Sequence, residues 1–182
     1  MTLWMVRHGP THAKTMVGHA DIPADLSDTN ALGRLSAFLP DAPVVSSDLI
    51  RATATADAIQ AHRTRLPHHS DLREIDFGDW DLKRFDEIQD QAHIRKYWEE
   101  PGNIAPPNGE SWNAVYRRVS DTIDALRAEH SELIIVCHFG VILTQVQRAL
   151  SIPAYDAFAH KIDNLSVTKI DEHGASFINY KP

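Results

Sequence analysis

The chain has 182 residues, 43% of them hydrophobic, and a net charge of −7. That length fills one core and is short for two domains, and the acidic balance argues against a broad surface for nucleic acid or anionic membrane while leaving room for a small basic pocket. The lone cysteine, Cys137, excludes an internal disulfide, and with no membrane-length apolar stretch and no leader pattern, a reducing cytoplasm is the expected compartment.

The chain opens on Leu3-Trp4-Met5-Val6, a short continuous apolar run that reads as a buried strand. Arg7 and His8 then stand at its carboxyl end, followed by Gly9, which lets backbone N–H groups approach a ligand, and Pro10, which fixes the turn. A guanidinium fork suits a phosphate, and a neutral imidazole can attack one. Residues 11–28 read as a loop rich in polar and breaker residues. Thr11 borders the anion site, and Lys14 either reaches back to the same anion or is a solvated loop lysine. Leu32, Leu35 and Leu39 then mark a short helix from Asp28 to Leu39.

Val44 to Ser47 reads as a second strand running into a helix over 48–59, with Ser47 or Asp48 as its N-cap. Arg51 falls in the first helical turn, where the dipole disfavours a cation and a bound anion would reverse that preference. A surface pair with Asp48 is the competing explanation. His68 to Leu72 is a third, edge-strand candidate. The stretch from Leu72 to Trp80 mixes acids with Ile75, Phe77 and Trp80. A carboxyl held among apolar side chains is raised in pKa and can donate a proton near neutral pH. Glu74 is the candidate, and spacing barely separates it from Asp76. Residues 82–100 read as helical, and 101–109 is a clear break. The segment 80–108 is the expected source of substrate selection, because variable loops and lids sit on such scaffolds.

From Glu110 to Glu129, Trp112, Val115, Tyr116, Val119, Ile123 and Leu126 form one apolar helical stripe, which is core. Glu110 and Ser111 open that helix, where a carboxylate is favourable for stability alone. Leu133 to Val136 with Cys137-His138-Phe139-Gly140 repeats the opening pattern, an apolar strand delivering a histidine and then a glycine. Cys137 reads as a small buried core residue. A helix over 141–150 follows, and 165–170 with 175–180 read as a hairpin. The expected fold is α/β, a three-layer sandwich over residues 1–182, with a mostly parallel central sheet, helices on both faces and a C-terminal hairpin.

Ligands of open α/β sheets bind outside the carboxyl ends of the strands. Arg7, His8, Arg51 and His138 should therefore surround one pocket, able to neutralise a phosphoryl group and spread its charge. No Walker loop is present. A metal is the rival use of the histidines, but no Asp or Glu at ligand spacing accompanies His8, and two arginines would repel a cation.

On these residues the chain resembles the histidine phosphatase superfamily of phosphoglycerate-mutase-like proteins, over nearly its whole length. Arg7-His8-Gly9-Pro10-Thr11 is similar to the family signature, and Ser47 to Ala52 with Thr55-Ala56 to the second-arginine motif. Leu72 to Trp80 resembles the acid-bearing segment and selects Glu74. Gly109-Glu110-Ser111 and Cys137-His138-Phe139-Gly140 follow in the expected order. The resemblance implies that His8 takes the phosphoryl group as a phosphohistidine and that Arg7, Arg51 and His138 hold it. Glu74 would protonate the leaving oxygen and then deprotonate water, with no metal or other cofactor.

There are departures. The last motif usually reads Ser-His-Gly-Gly, so Phe139 puts bulk near the pocket mouth; Lys14 replaces a frequent asparagine; and Asp81-Leu82 stands where relatives often have Glu-Gly. The implied activity is a phosphomonoester phosphatase acting on a small phosphorylated metabolite, in a small bacterial branch similar to α-ribazole phosphatases. A phosphoglycerate-type mutase and a catalytically silent phospho-ligand binding protein are the alternatives. The expected assembly is a monomer or homodimer, with no nucleic acid or membrane partner.

Overall fold

The computed structural model describes every residue, Met1–Pro182. Three parallel strands form one side of the sheet: β1 (Thr2–Arg7), β2 (Val44–Ser46) and β3 (Glu132–Cys137). Two further strands, β4 (Val167–Asp171) and β5 (Gly174–Tyr180), form an antiparallel hairpin beside β1, giving the order β2-β3-β1-β4-β5. The helices are α1 (Thr29–Phe38), α2 (Ile50–Ile59), α3 (Gln91–Glu99), α4 (Trp112–Glu129), α5 (Phe139–Leu150) and the short α6 (Ala154–Ala157). None is long and apolar enough to cross a membrane.

The apolar runs are continuous because the sheet is covered on both faces. Leu3, Met5, Val45, Leu133, Ile135 and Cys137 point into one core with Val115, Val119 and Ile123 of α4 and Val141, Ile142 and Val146 of α5. The alternate residues Val6, Val44, Ile134 and Val136 point the other way, against Leu32 and Leu35 of α1 and Ala52, Ala56 and Ile59 of α2. The period-2 alternation of the strands thus builds two cores and three layers.

Several local expectations change. His68 to Leu72 is not a strand. The chain bridges to the sheet edge where Val44 meets Arg65 and touches it again where the His69 N–H donates to the Ser46 carbonyl at 2.9 Å, but no run of pairs forms. Residues Ser70–Leu72 turn in a 3₁₀ helix that buries Leu72 in the α4 core. The stretch 82–100 is not one helix: Phe85–Glu87 is a 3₁₀ turn, and α3 begins afresh where Asp90 accepts from the His93 N–H at 3.0 Å. Neither Ser47 nor Asp48 is the N-cap of α2; Leu49 is. Both carboxylate oxygens of Asp48 face Arg73, accepting from it at 2.7 and 2.6 Å, so its carboxylate turns away from the helix end and does not pair with Arg51. Asp21, from the long loop, accepts the Ile50 N–H instead, at 2.7 Å. Helix α5 starts at Phe139 rather than Val141, which brings its first N–H groups into the site.

Candidate active site

The parallel register sets Arg7 beside Cys137 and Ser46 beside Val136, so the three carboxyl ends lie side by side. His8 follows β1 directly, and its N–H donates to the Cys137 carbonyl at 3.1 Å. His138 follows β3 and is the N-cap of α5. The two imidazole centroids are 5.1 Å apart.

His8 Nδ1 lies 2.7 Å from the Gly9 carbonyl. A carbonyl only accepts, so Nδ1 carries the proton and Nε2 keeps its lone pair. His8 is 6% exposed. Burial, opposed by the Gly9 bond and reinforced by the charges of Arg51 and Arg7, pushes its pKa down to about 3. His138 is fully buried, and burial, the His8 ring and nearby arginines push it down as well. Both rings are therefore neutral near pH 7, as a nitrogen nucleophile requires.

Arg51 is 1% exposed in the first turn of α2. Its guanidinium donates to the carbonyls of Gly18 and Ala20, at 2.6 and 2.8 Å. Asp81 holds that loop from behind, accepting from the Gly18 and Ala20 N–H groups at 2.8 Å each. Arg7 donates from Nη1 to the Ile162 carbonyl at 2.6 Å and lies 5.5 Å from the centre of the Phe139 ring. Arg7 Nε and both ring nitrogens of His138 are buried with no hydrogen-bond partner in the protein.

Glu74 is 7% exposed. Its carboxylate accepts the Gly140 N–H, at 3.0 and 3.2 Å from its two oxygens, and the Ile75 N–H at 3.0 Å. An acid at the start of α5 suits the helix dipole. A Cβ on Gly140 would fall 2.6 Å from Glu74 Oε1, so this glycine is required by the approach of the carboxylate. Gly9 has a different reason from the one expected. Its N–H is taken by Thr55 Oγ1 at 2.9 Å, and a Cβ there would fall 2.6 Å from Leu26 Cδ2. It lets the loop pack and does not face a ligand with its amide.

Arg7, His8, Thr11, Arg51, Glu74 and Phe139 line one cavity of about 170 Å³, with Ala13, Thr15, Val17 and Phe77. His138 is fully buried and is not among the residues that line the cavity; its ring centroid lies 5.1 Å from that of His8. Lys14 is not brought in: it is exposed on a bend outside this wall, so the solvated-lysine reading is the one the structure carries. No side chain of 80–108 reaches the cavity; Trp98 of α3 packs behind Phe77, with ring centroids 6.0 Å apart. Larger hollows lie elsewhere, one of about 540 Å³ beyond Pro10 and His12, and they contain no comparable cluster. No three His, Cys, Asp or Glu side chains converge as metal ligands.

Sequence reasoning missed the groups that act from a distance. Asn164 donates to the His8 carbonyl at 2.9 Å, and Thr55, which accepts from Gly9, donates to the Arg51 carbonyl at 2.7 Å. Thr55 was visible only as part of the second-arginine motif, and Asn164 carried no local signal.

Comparison with known proteins agrees with this geometry. The adenosylcobalamin/α-ribazole phosphatase of Salmonella typhimurium is 32% identical over 183 aligned positions, covering 94% of this chain and 90% of that protein. The protein of that name in Escherichia coli is 29% identical over the same coverage. The crystal structure of the α-ribazole phosphatase of Shigella flexneri superposes with a TM-score of 0.80 at 27% identity, covering 100% of this chain and 97% of that one. The profile of the histidine phosphatase superfamily (branch 1) matches residues 3–179, and the chain belongs to that family.

Proposed function

We propose that the protein is a metal-independent phosphomonoesterase that works through a phosphohistidine on His8 and hydrolyses a small phosphorylated metabolite. One observation carries the reading: a neutral His8, with its Nε2 lone pair free, shares a small cavity with a buried Arg51, a half-buried Arg7 and the buried carboxyl of Glu74.

His8 Nε2 attacks phosphorus, the bond from phosphorus to the alcohol oxygen breaks, and the Glu74 carboxyl gives its proton to that oxygen. Glu74, now a carboxylate, takes a proton from water; the water oxygen attacks phosphorus and the P–N bond breaks, returning neutral His8 and releasing phosphate. Arg7, Arg51 and His138 offer donors to the phosphoryl oxygens as charge redistributes, the electrostatic part of catalysis. The unpartnered Arg7 Nε–H and the single N–H of a neutral His138 match such an acceptor.

The wall favours hydrolysis over isomerisation. Beyond the two arginines it presents Thr11, Ala13, Thr15, Val17, Phe77 and Phe139. A phosphoglycerate carboxylate would find no further cation there, whereas an uncharged alcohol with an apolar face would find Phe77 and Phe139. α-Ribazole phosphate, the substrate in the relatives' names, is the first compound to try.

The test is release of phosphate from a chromogenic aryl phosphate without added metal, with trapping of an acid-labile phosphoenzyme. His8→Ala should abolish both, and equal activity in that variant rejects the nucleophile. A panel including α-ribazole phosphate and phosphoglycerates completes the experiment. Isomerisation exceeding phosphate release would favour a mutase, and tight phosphate binding with no turnover would favour a binding protein.

A further inference from the structure

Glu74 lies on a stretch that belongs to no strand. Residues 73–77 run between the 3₁₀ turns Ser70–Leu72 and Gly78–Trp80, so no sheet ladder fixes the backbone that carries the carboxyl. Its hydrogen bonds go elsewhere: His19 Nε2 meets the Glu74 carbonyl at 3.1 Å, and two residues outside the cavity, Arg118 and Glu110, take the peptides on either side.

Arg118, on α4, donates from Nη1 to the carbonyls of Asp71 and Arg73, at 2.7 and 3.0 Å, and from Nη2 to that of Glu74, at 3.4 Å. Its remaining donors form a two-pronged pair with Glu110, Nε to Oε1 at 2.9 Å and Nη2 to Oε2 at 2.8 Å. Glu110 in turn grips the same stretch on the far side of Glu74. Its Oε2 accepts the Asp76 N–H at 3.0 Å, and its own N–H donates to the Asp76 carbonyl at 2.8 Å. The peptides before and after Glu74 are thus held by one ion pair, whose side chains are 17% and 23% exposed. Only a guanidinium has enough donors in a fixed fork to reach three carbonyls and a carboxylate together.

We propose that Arg118 and Glu110 are positioning residues that set the Glu74 carboxyl for proton transfer to the leaving oxygen. The proposal rests on the reading of Glu74 as the acid. It assigns Glu110 a part in the chemistry beyond the favourable helix-end charge read from the sequence. Neither residue lines the cavity, so neither touches substrate.

Misplacing the acid has a consequence that general loosening of the fold does not. A leaving group that is already acidic, such as p-nitrophenolate, departs with little help, whereas an alkyl alkoxide needs the proton. The experiment measures kcat/KM, which reports transfer to His8, for p-nitrophenyl phosphate and for glycerol 2-phosphate, in the wild type, Arg118→Lys, Glu110→Gln and Glu74→Gln. Glu74→Gln should lower the alkyl ester by roughly 10²–10⁴-fold and the aryl ester far less. Arg118→Lys and Glu110→Gln should lower the alkyl ester by roughly ten- to a hundredfold and leave the aryl ester within about threefold. Glu110→Gln keeps the side-chain shape, so it serves if Arg118→Lys does not fold. An equal fall for both esters, or no fall, in the folded clamp variants overturns the clamp. If Glu74→Gln itself fails to separate the two esters, the acid assignment fails instead, which distinguishes the two errors.

Discussion

Two glycine-to-alanine substitutions in helices should have opposite effects. Gly33 lies in α1, and a Cβ there meets nothing within 4 Å. Gly33→Ala removes backbone freedom from the unfolded chain and should stabilise by about 0.4–1 kcal/mol. Gly140 lies in the first turn of α5, where a Cβ falls 2.6 Å from Glu74 Oε1 and 2.8 and 2.9 Å from Ile75 Cδ1 and Cγ1. The same entropic gain is then set against overpacking of about 1–3 kcal/mol. The net loss should be at most about 2.6 kcal/mol, a fall in Tm of up to roughly 10 °C in a chain of this size. Activity should fall further than stability, because the atom displaced is the carboxylate oxygen. A shift near 1 Å in a proton donor costs on the order of 10²-fold. Thermal unfolding of both variants and kcat/KM on an alkyl phosphate make the comparison. If Gly140→Ala is as stable and as active as Gly33→Ala, the placement of Glu74 against the start of α5 is wrong.

Three further outcomes follow from the site. The pKa of His8 lies near 3 in the fold and near 6.5 in the unfolded chain, so below about pH 6.5 the unfolded state binds the extra proton. The stability held above pH 6.5 should be lost toward pH 3 at up to about 1.4 kcal/mol per pH unit from this group, and urea unfolding of His8→Gln between pH 4 and 7 should show a shallower slope than the wild type. Asp81→Ala removes the acceptor of two loop N–H groups. It should cost about 2–4 kcal/mol in urea unfolding and raise KM, because the carbonyls that hold Arg51 lose their anchor. Phe139→Ala, which takes one aromatic wall from the cavity, should raise KM for an aryl phosphate about three- to tenfold with a smaller effect on kcat; an unchanged KM would remove Phe139 from the substrate's path.

What could be read in advance was what lies within a few residues of a strand end. Arg7, His8, Arg51 and His138 each follow a β-strand closely, so the direction and order of three strands sufficed to bring them together. Glu74 was ambiguous because its stretch has no period; its place comes from the start of α5, 66 residues away. Arg118, Asp81 and Asn164 were invisible for the same reason in stronger form: each works by bonding to backbone of an irregular loop, and loop backbone carries no pattern. The failed edge strand at His68–Leu72 is related. The burial of Leu72 overrode the local pattern, a tertiary demand that local sequence does not encode.

The electrostatics of the cavity follow from placing cations and imidazoles together out of water. Arg7 and Arg51 keep their charge although burial works against it, and Glu74 opposes that effect. Burial above all, with a smaller contribution from the nearby guanidinium charges, keeps His8 and His138 neutral, so the arginines that would attract a phosphoryl dianion also favour the reactive form of the proposed nucleophile. The Gly9 carbonyl completes the arrangement by holding the one proton of His8 on Nδ1. In the proposed reaction, attack would turn that ring into a phosphoimidazolium, and the same carbonyl would then face a more acidic N–H, a hydrogen bond that strengthens as charge develops. Catalytic power in this reading comes from groups fixed in place before substrate arrives. The bonds from the Gly9 N–H to Thr55 and from Asn164 to the His8 carbonyl are therefore as much a part of the proposed chemistry as the imidazole they hold.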